Sequence, residues 1–384
     1  SNYYDTLSEN EKSKNEEEVD EIDQMFSTEN NEGDSDEDLI EAQKQNLPNL
    51  ASKIYQNISL IQKQKQRNIS FISRICKAIV KLLVFFRKNR RITIDDIINV
   101  SINLLQNNQN YQLPKIIQES LLLSLEENYD DNNENNKKND EYYFYQESPE
   151  LCSFFAQLFA YYIMRQPVCI QGPTGIGKTA SAKKFAMKKR GNLSKGSGYL
   201  MHNFYSNTEI SHFYGTTTLI DGEIKFCEGD ATKCAKEGKI FIADEFNLAG
   251  ESVMKSFSLL LDPTISNKIY IPGVGQTISI DPGFFFIACQ NKIGTLGRNP
   301  VPETIEKRLV FIDYPDKFGI DKICEQIALE IFPKGQNFEQ EREFSKKIGK
   351  FMEEFNKLRI EYKWSLRDIT KLFRRIYNQE NQKY

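Results

Sequence analysis

One stretch of eight residues limits what this chain can fold into more than any other. Gly172-Pro173-Thr174-Gly175-Ile176-Gly177-Lys178-Thr179 fits GxxxxGK[ST] at every fixed position. The pattern has physical meaning only between a strand and a helix, and both neighbours suit it. The apolar run Val168-Cys169-Ile170 leads in, and a helix-prone run over 180–188 leads out. The glycines allow backbone N–H groups to approach phosphate oxygens closely, and the N-terminus of the next helix adds partial positive charge. Lys178 is placed to reach the β- and γ-phosphates of a nucleotide, and the Thr179 hydroxyl to ligate Mg²⁺.

The rest of this region has the alternation such a loop requires. Apolar runs at 167–171, 200–205, 239–244, 284–289 and 308–314 are mostly separated by helical patterns. They predict an α/β fold of the P-loop NTPase kind, a parallel five-stranded sheet with helices on both faces. The segment 151–164 is apolar nearly all round but too short to span a bilayer, so it reads as a buried helix before the first strand. After Pro315 the pattern is helical to the end.

Two further strand ends carry chemistry. Lys239-Ile240-Phe241-Ile242-Ala243 runs into Asp244-Glu245. Open α/β sheets bind ligands at the C-terminal ends of their strands. Asp244 is therefore expected to hold Mg²⁺, and Glu245 to orient and polarise an attacking water. Phe284-Phe285-Phe286-Ile287-Ala288-Cys289 runs into Gln290-Asn291, whose amide can hold the water or the γ-phosphate. An Asn after a strand is also a common turn residue.

Charge divides the chain. Residues 1–48 hold 16 Asp/Glu against 3 Lys, a net of −13, and the other 336 residues carry +9, so the overall −4 describes neither part. The acidic segment is expected to be a disordered tail. Residues 49–127 form a basic helical segment: 49–94 hold 11 Lys/Arg and no acid. There Ile72, Ile75, Ile79, Leu82, Leu83 and Phe86 recur at helical spacing. A second helix is expected from Ile94, capped by Thr93 with Asp95 and Asp96 in its first turn, and a third over 115–126. A polar linker covers 128–147, an α/β domain 148–314 and a helical segment 315–384.

Several classes fall away. No apolar run is long enough for a membrane helix, and the acidic N-terminus argues against a leader peptide. The seven cysteines are scattered singly and only His202 and His212 are present. Reduced thiols in an intracellular protein fit better than a zinc site or a His-based triad. The chain starts at Ser1 without Met, which suits a fragment or a processed product.

Taken in order, these residues resemble the AAA+ ATPases, and within them the dynein-related, midasin-like branch. The likeness runs from Ser148 to the C-terminus, and it implies that 148–314 are an ATPase domain and 315–384 its helical lid. Asn203, Thr208 and Phe213-Tyr214-Gly215 look like the segment after its second strand, and Asp221-Gly222-Glu223-Ile224-Lys225-Phe226 like its hairpin insert. Asp244-Glu245-Phe246-Asn247-Leu248-Ala249 resembles its extended acidic motif. Lys268-Ile269-Tyr270-Ile271 with Thr277-Ile278-Ser279-Ile280 looks like its hairpin before the sensor strand, and Ala288-Cys289-Gln290-Asn291 like its sensor 1. The resemblance implies Mg·ATP hydrolysis that remodels a protein or ribonucleoprotein complex. It implies partners in neighbouring AAA+ modules of a ring, and action in the nucleus or nucleolus if midasin-like, otherwise in the cytoplasm. It gives Arg308 the position of an arginine finger acting on a neighbour's γ-phosphate, and Arg367, in Trp364-Ser365-Leu366-Arg367-Asp368, that of sensor 2. Chains of this branch carry several linked modules, whereas one complete module is legible here; residues 50–126 also read as the lid of a preceding one. The alternative is a nucleotide-binding scaffold or interaction module with little hydrolysis. A P-loop kinase or GTPase fits poorly, since no NKxD base-reading motif is present.

Overall fold

The computed structural model describes scattered positions between 75 and 92, then residues 93–106, 111–127, 149–188, 198–261, 268–271, 276–281, 283–291, 299–315, 324, 338–357 and 365–381. The acidic segment 1–48, the start of the basic segment, the linker 128–147 and most of 316–337 lie outside the described residues. The chain divides into two compact units, Ser1–Gln106 and Asn107–Tyr384.

In the first unit, Ile75, Ala78, Ile79, Leu82 and Phe86 are buried, at the spacing of one helix face. Helix α1 (Ile94–Leu105) opens with a capping box. The Asp96 N–H donates to the Thr93 hydroxyl at 3.2 Å, and the Thr93 N–H donates to the Asp96 carboxylate at 3.0 Å. The Thr93 hydroxyl also donates to the Asp96 carboxylate at 2.7 Å, and this bond, then that from the Thr93 N–H, holds the Asp96 carboxyl below its ordinary range.

The second unit opens with α2 (Lys115–Glu127), which packs on α3 (Pro149–Ile163). The chain then runs through β1 (Val168–Gln171), α4 (Lys178–Lys188), β2 (Tyr199–Asn203) and α5 (Ile210–Tyr214). A hairpin, β3 (Gly215–Ile220) and β4 (Glu223–Glu228), precedes α6 (Asp230–Glu237) and β5 (Ile240–Asp244). A 3-10 turn (Phe246–Leu248), α7 (Glu251–Ser256) and a second hairpin, β6 (Lys268–Ile271) and β7 (Gln276–Ser279), lead to β8 (Phe285–Gln290). Then come α8 (Glu303–Glu306), β9 (Val310–Asp313), α9 (Phe338–Lys357) and α10 (Leu366–Asn381).

The five strands expected from the sequence form one sheet in the order β2-β5-β8-β1-β9, every neighbouring pair parallel. Parallel strands with crossover helices must be covered on both faces. The burial agrees: Ile240 to Ala243 and all of β8 are buried. On one face, the Phe285 ring meets Tyr162 of α3 at 5.3 Å and Phe185 of α4 at 6.4 Å. On the other, Phe241 and Phe286 meet Phe257 at 5.9 and 5.4 Å.

Phe257 is the centre of that second layer. It is fully buried, stacks on Phe213 at 4.5 Å, and touches Phe204, Tyr214 and Phe246. Phe257→Ala is expected to cost about 3–5 kcal/mol of stability, since a phenyl-sized cavity in a close-packed layer collapses only partly. Denaturant unfolding measures this; a loss under ~1 kcal/mol contradicts the packing described.

Both hairpins follow local rules. The β3–β4 turn places Asp221 and Gly222 at φ 54° and 79°, the left-handed pair that matches strand twist. Leu219 and Ile224 face each other at its tip. In the other hairpin Ile269 pairs with Ile278, both buried, while Tyr270 is exposed.

Candidate active site

The site lies at the C-terminal ends of β1, β5 and β8. After Gln171 the chain turns through 172–177 before α4 begins at Lys178. Gly175 and Gly177 take φ values of 79° and 102°, where a side chain is strained. Gly175 is also closely approached: a Cβ there would lie 2.8 Å from the Ser365 Cβ. Ser365 immediately precedes α10 and is fixed by N–H and O–H bonds to the Asp368 carboxylate at 3.0 and 2.7 Å. The start of the last helix therefore rests on the phosphate loop.

Lys178 is buried, and its Nζ donates to the carbonyls of Gly172 at 3.0 Å and Pro173 at 2.6 Å and to Asn291 Oδ1 at 2.7 Å. Three acceptors match the three protons of an ammonium and offset its burial. An arriving phosphate offers the same protons charged acceptors, which bind more strongly than carbonyls.

The Thr179 hydroxyl donates to Asp244 Oδ1 at 2.9 Å. Burial pushes the Asp244 carboxyl up; the Thr179 hydrogen bond opposes this, and the nearby Glu245 charge adds to it. A hydroxyl and a half-buried carboxylate in contact form a hard-oxygen donor set of the kind Mg²⁺ takes, and a cation there favours the ionised carboxylate. The residues present thus fit the metal that the phosphate loop calls for.

Glu245 adopts the left-handed conformation, φ 53° and ψ 39°. That is costly for a residue with a side chain and is concentrated at functional sites. It breaks β5 and turns the chain into the 3-10 turn. Asn291 Nδ2 lies 3.3 and 3.4 Å from the two Glu245 carboxylate oxygens. One amide thus touches Lys178 with its oxygen and Glu245 with its nitrogen.

Of the residues singled out from the sequence, the fold brings together the loop Gly172–Thr179, Asp244, Glu245 and Asn291. Pro173 contributes its carbonyl, while Thr174 is exposed. Arg308 is elsewhere. Val310 pairs with Val168 at the start of β1, and Asp313 with Gln171 at its end. Arg308 precedes β9, so it lies beyond the opposite end of these strands, at least about 10 Å from its own phosphate loop at ~3.3 Å per residue. Its Nη1 donates to the Thr304 carbonyl at 2.6 Å. Arg367 is exposed on α10, two residues beyond Ser365. Sequence reasoning named Asn247 and Ser365 only as parts of motifs and did not single out Asn299, Ser181 or Tyr314. Ser181 Oγ and the Tyr314 hydroxyl lie 2.8 Å apart, joining α4 to the residue after β9. No spacing rule predicts such a tertiary pair.

A glycine-rich turn between β1 and α4, with acids ending a strand that is separated from β1 by the Asn291-bearing strand, defines a P-loop nucleoside triphosphatase fold. Within it, residues 167–309 match the family described as AAA domain (dynein-related subfamily). The chain is similar to Midasin of Giardia intestinalis, 26% identical over 153 residues, and to Midasin of Dictyostelium discoideum, 25% identical over 188 residues. These matches cover 39% and 47% of this chain but only 3% of each relative. A solved structure from Cytophaga hutchinsonii, provisionally assigned as an ATPase, is 19% identical with a TM-score of 0.30, covering 56% of this chain and 54% of that one. At that score it decides nothing; the fold reading rests on the strand order and the loop. No helix among the described residues is long and apolar enough to cross a membrane.

Proposed function

We propose that this chain hydrolyses ATP with Mg²⁺, and that hydrolysis within a ring of like modules drives remodelling of a protein or ribonucleoprotein complex. The observation that carries the reading is the Asn291 amide set between Lys178 and Glu245. One polar side chain touches both the Lys178 ammonium and the Glu245 carboxylate, which supports reading them as phosphate-binding cation and base.

Each residue has a part that its position allows. Backbone N–H groups of 172–177 and Lys178 hold the β- and γ-phosphates. Thr179 and Asp244 hold the metal, which supplies charge neutralisation on the phosphate oxygens when bound. Glu245 accepts a hydrogen bond from the attacking water, and Asn291 orients it. Helix α10 begins beside the phosphate loop at Ser365, and Arg367, two residues further on, is assigned to the same nucleotide as sensor 2.

Arg308 serves a neighbouring module. It lies too far from its own phosphate loop to reach it, while a guanidinium at a module edge can neutralise charge on a phosphoryl group bound next door. Steady-state phosphate release from Mg·ATP, measured over a range of protein concentrations, tests the reading. Turnover per chain is expected to rise as chains assemble. Arg308→Ala is expected to leave ATP affinity within about threefold and to lower the assembly-dependent rate by at least about 10³-fold. An equal loss in strictly monomeric samples contradicts the role in trans. ATP binding without turnover at any concentration would favour a nucleotide-binding scaffold instead.

A further inference from the structure

Asn247 has no place in the chemistry just described, yet it is completely buried two residues after Glu245. A buried amide is retained at little cost only where its polar atoms are satisfied. Its Nδ2 donates to the backbone carbonyl of Asn291 at 3.0 Å. Its backbone carbonyl accepts the N–H of Asn299 at 2.8 Å. The Asn299 side chain in turn donates to the Ala249 carbonyl at 2.8 Å. The chain that leaves the site at Asn291 is thus held again at Asn299, both times on the short turn that Glu245 opens.

Beyond Asn299 the backbone runs into α8 and Arg308. Ile305 and Leu309 are buried in the same core cluster as Phe246 and Ala249. The segment bearing Arg308 therefore rests on the Glu245 turn through two hydrogen bonds and an apolar contact.

We propose that Asn247 is a positioning residue that ties the Glu245–Asn291 pair to the segment carrying Arg308, with Asn299 as its partner. The nucleotide state of one module is then felt in the arginine presented to the next. A change in how Asn291 meets the γ-phosphate shifts the Asn291 carbonyl, which Asn247 holds. The Glu245 turn and Asn299 move with it. This inference rests on the ATPase reading for its consequence, although the brace itself is a property of the chain without nucleotide.

The test uses the full chain with Asn247→Ala and the near-isosteric Asn247→Leu, which keeps the bulk and removes the donor. Amide hydrogen exchange without nucleotide is expected to quicken at least tenfold in residues 285–291 and 299–308 of both variants, and to stay unchanged in β1 and 172–179. With Mg·ATP, affinity is expected to stay within threefold while single-turnover hydrolysis falls at least tenfold, the split of a residue that acts through others on the transition state. Exchange that rises evenly over 168–313, or affinity and rate weakening together, would show a core residue with no coupling role. Unchanged exchange and rate would overturn the proposal outright. A wild-type chain that binds ATP without turnover contradicts the proposed function only; the exchange measurement still decides whether Asn247 holds the segment.

Discussion

Lys178→Ala is expected to weaken Mg·ATP binding by about two to four orders of magnitude in a chain that still folds. The ammonium is buried among the Gly172 and Pro173 carbonyls and Asn291. On the proposed reading, this is the charge that meets the phosphates of an arriving nucleotide. Hydrogen bonds to charged groups contribute about 1.5–3 kcal/mol each, so two of them amount to roughly 3–6 kcal/mol. At ~1.4 kcal/mol per decade, that is a loss of about 10²–10⁴ in affinity. Folding should survive, because the substitution removes a buried charge and leaves carbonyls that entering water can reach. Titration with a fluorescent ATP analogue, beside circular dichroism of both chains, measures the effect. A dissociation constant within fivefold of wild type would remove Lys178 from the phosphate site.

The sheet was legible because its strands are buried on both faces. Such strands read as unbroken apolar runs, and each of the five runs falls within two residues of an observed strand. The phosphate loop was legible because its glycines and Lys178 serve local geometry that a short pattern captures. The turn after β5 was not. Nothing in Asp244-Glu245-Phe246-Asn247 announces that Glu245 takes a left-handed conformation or that Asn247 is fully buried. Both follow from packing between β5, β8 and the segment before α8, residues far apart in the chain. The seat of Ser365 on Gly175 is of the same kind: the glycine was read for its approach to phosphate, and its second neighbour comes from the lid. Arg308 was named through resemblance, and only the register of β9 against β1 shows which end of the sheet it occupies.

Glu245→Gln is expected to bind Mg·ATP within threefold of wild type and to lose hydrolysis by about 10²–10⁴, the range a positioned general base contributes. The amide has the shape of the carboxylate, and its oxygen can still accept from Asn291 Nδ2, so the geometry of Lys178, Asn291 and the Asp244–Thr179 pair is kept. Only the capacity to draw a proton from water is lost. The most direct measurement is single-turnover conversion of bound ATP to ADP and phosphate by wild type and Glu245→Gln, side by side at one saturating Mg²⁺ concentration and under assembling conditions. Wild type is predicted to convert its bound ATP while Glu245→Gln retains it intact. Equal conversion by the two chains would contradict the assignment of Glu245 as the hydrolytic base.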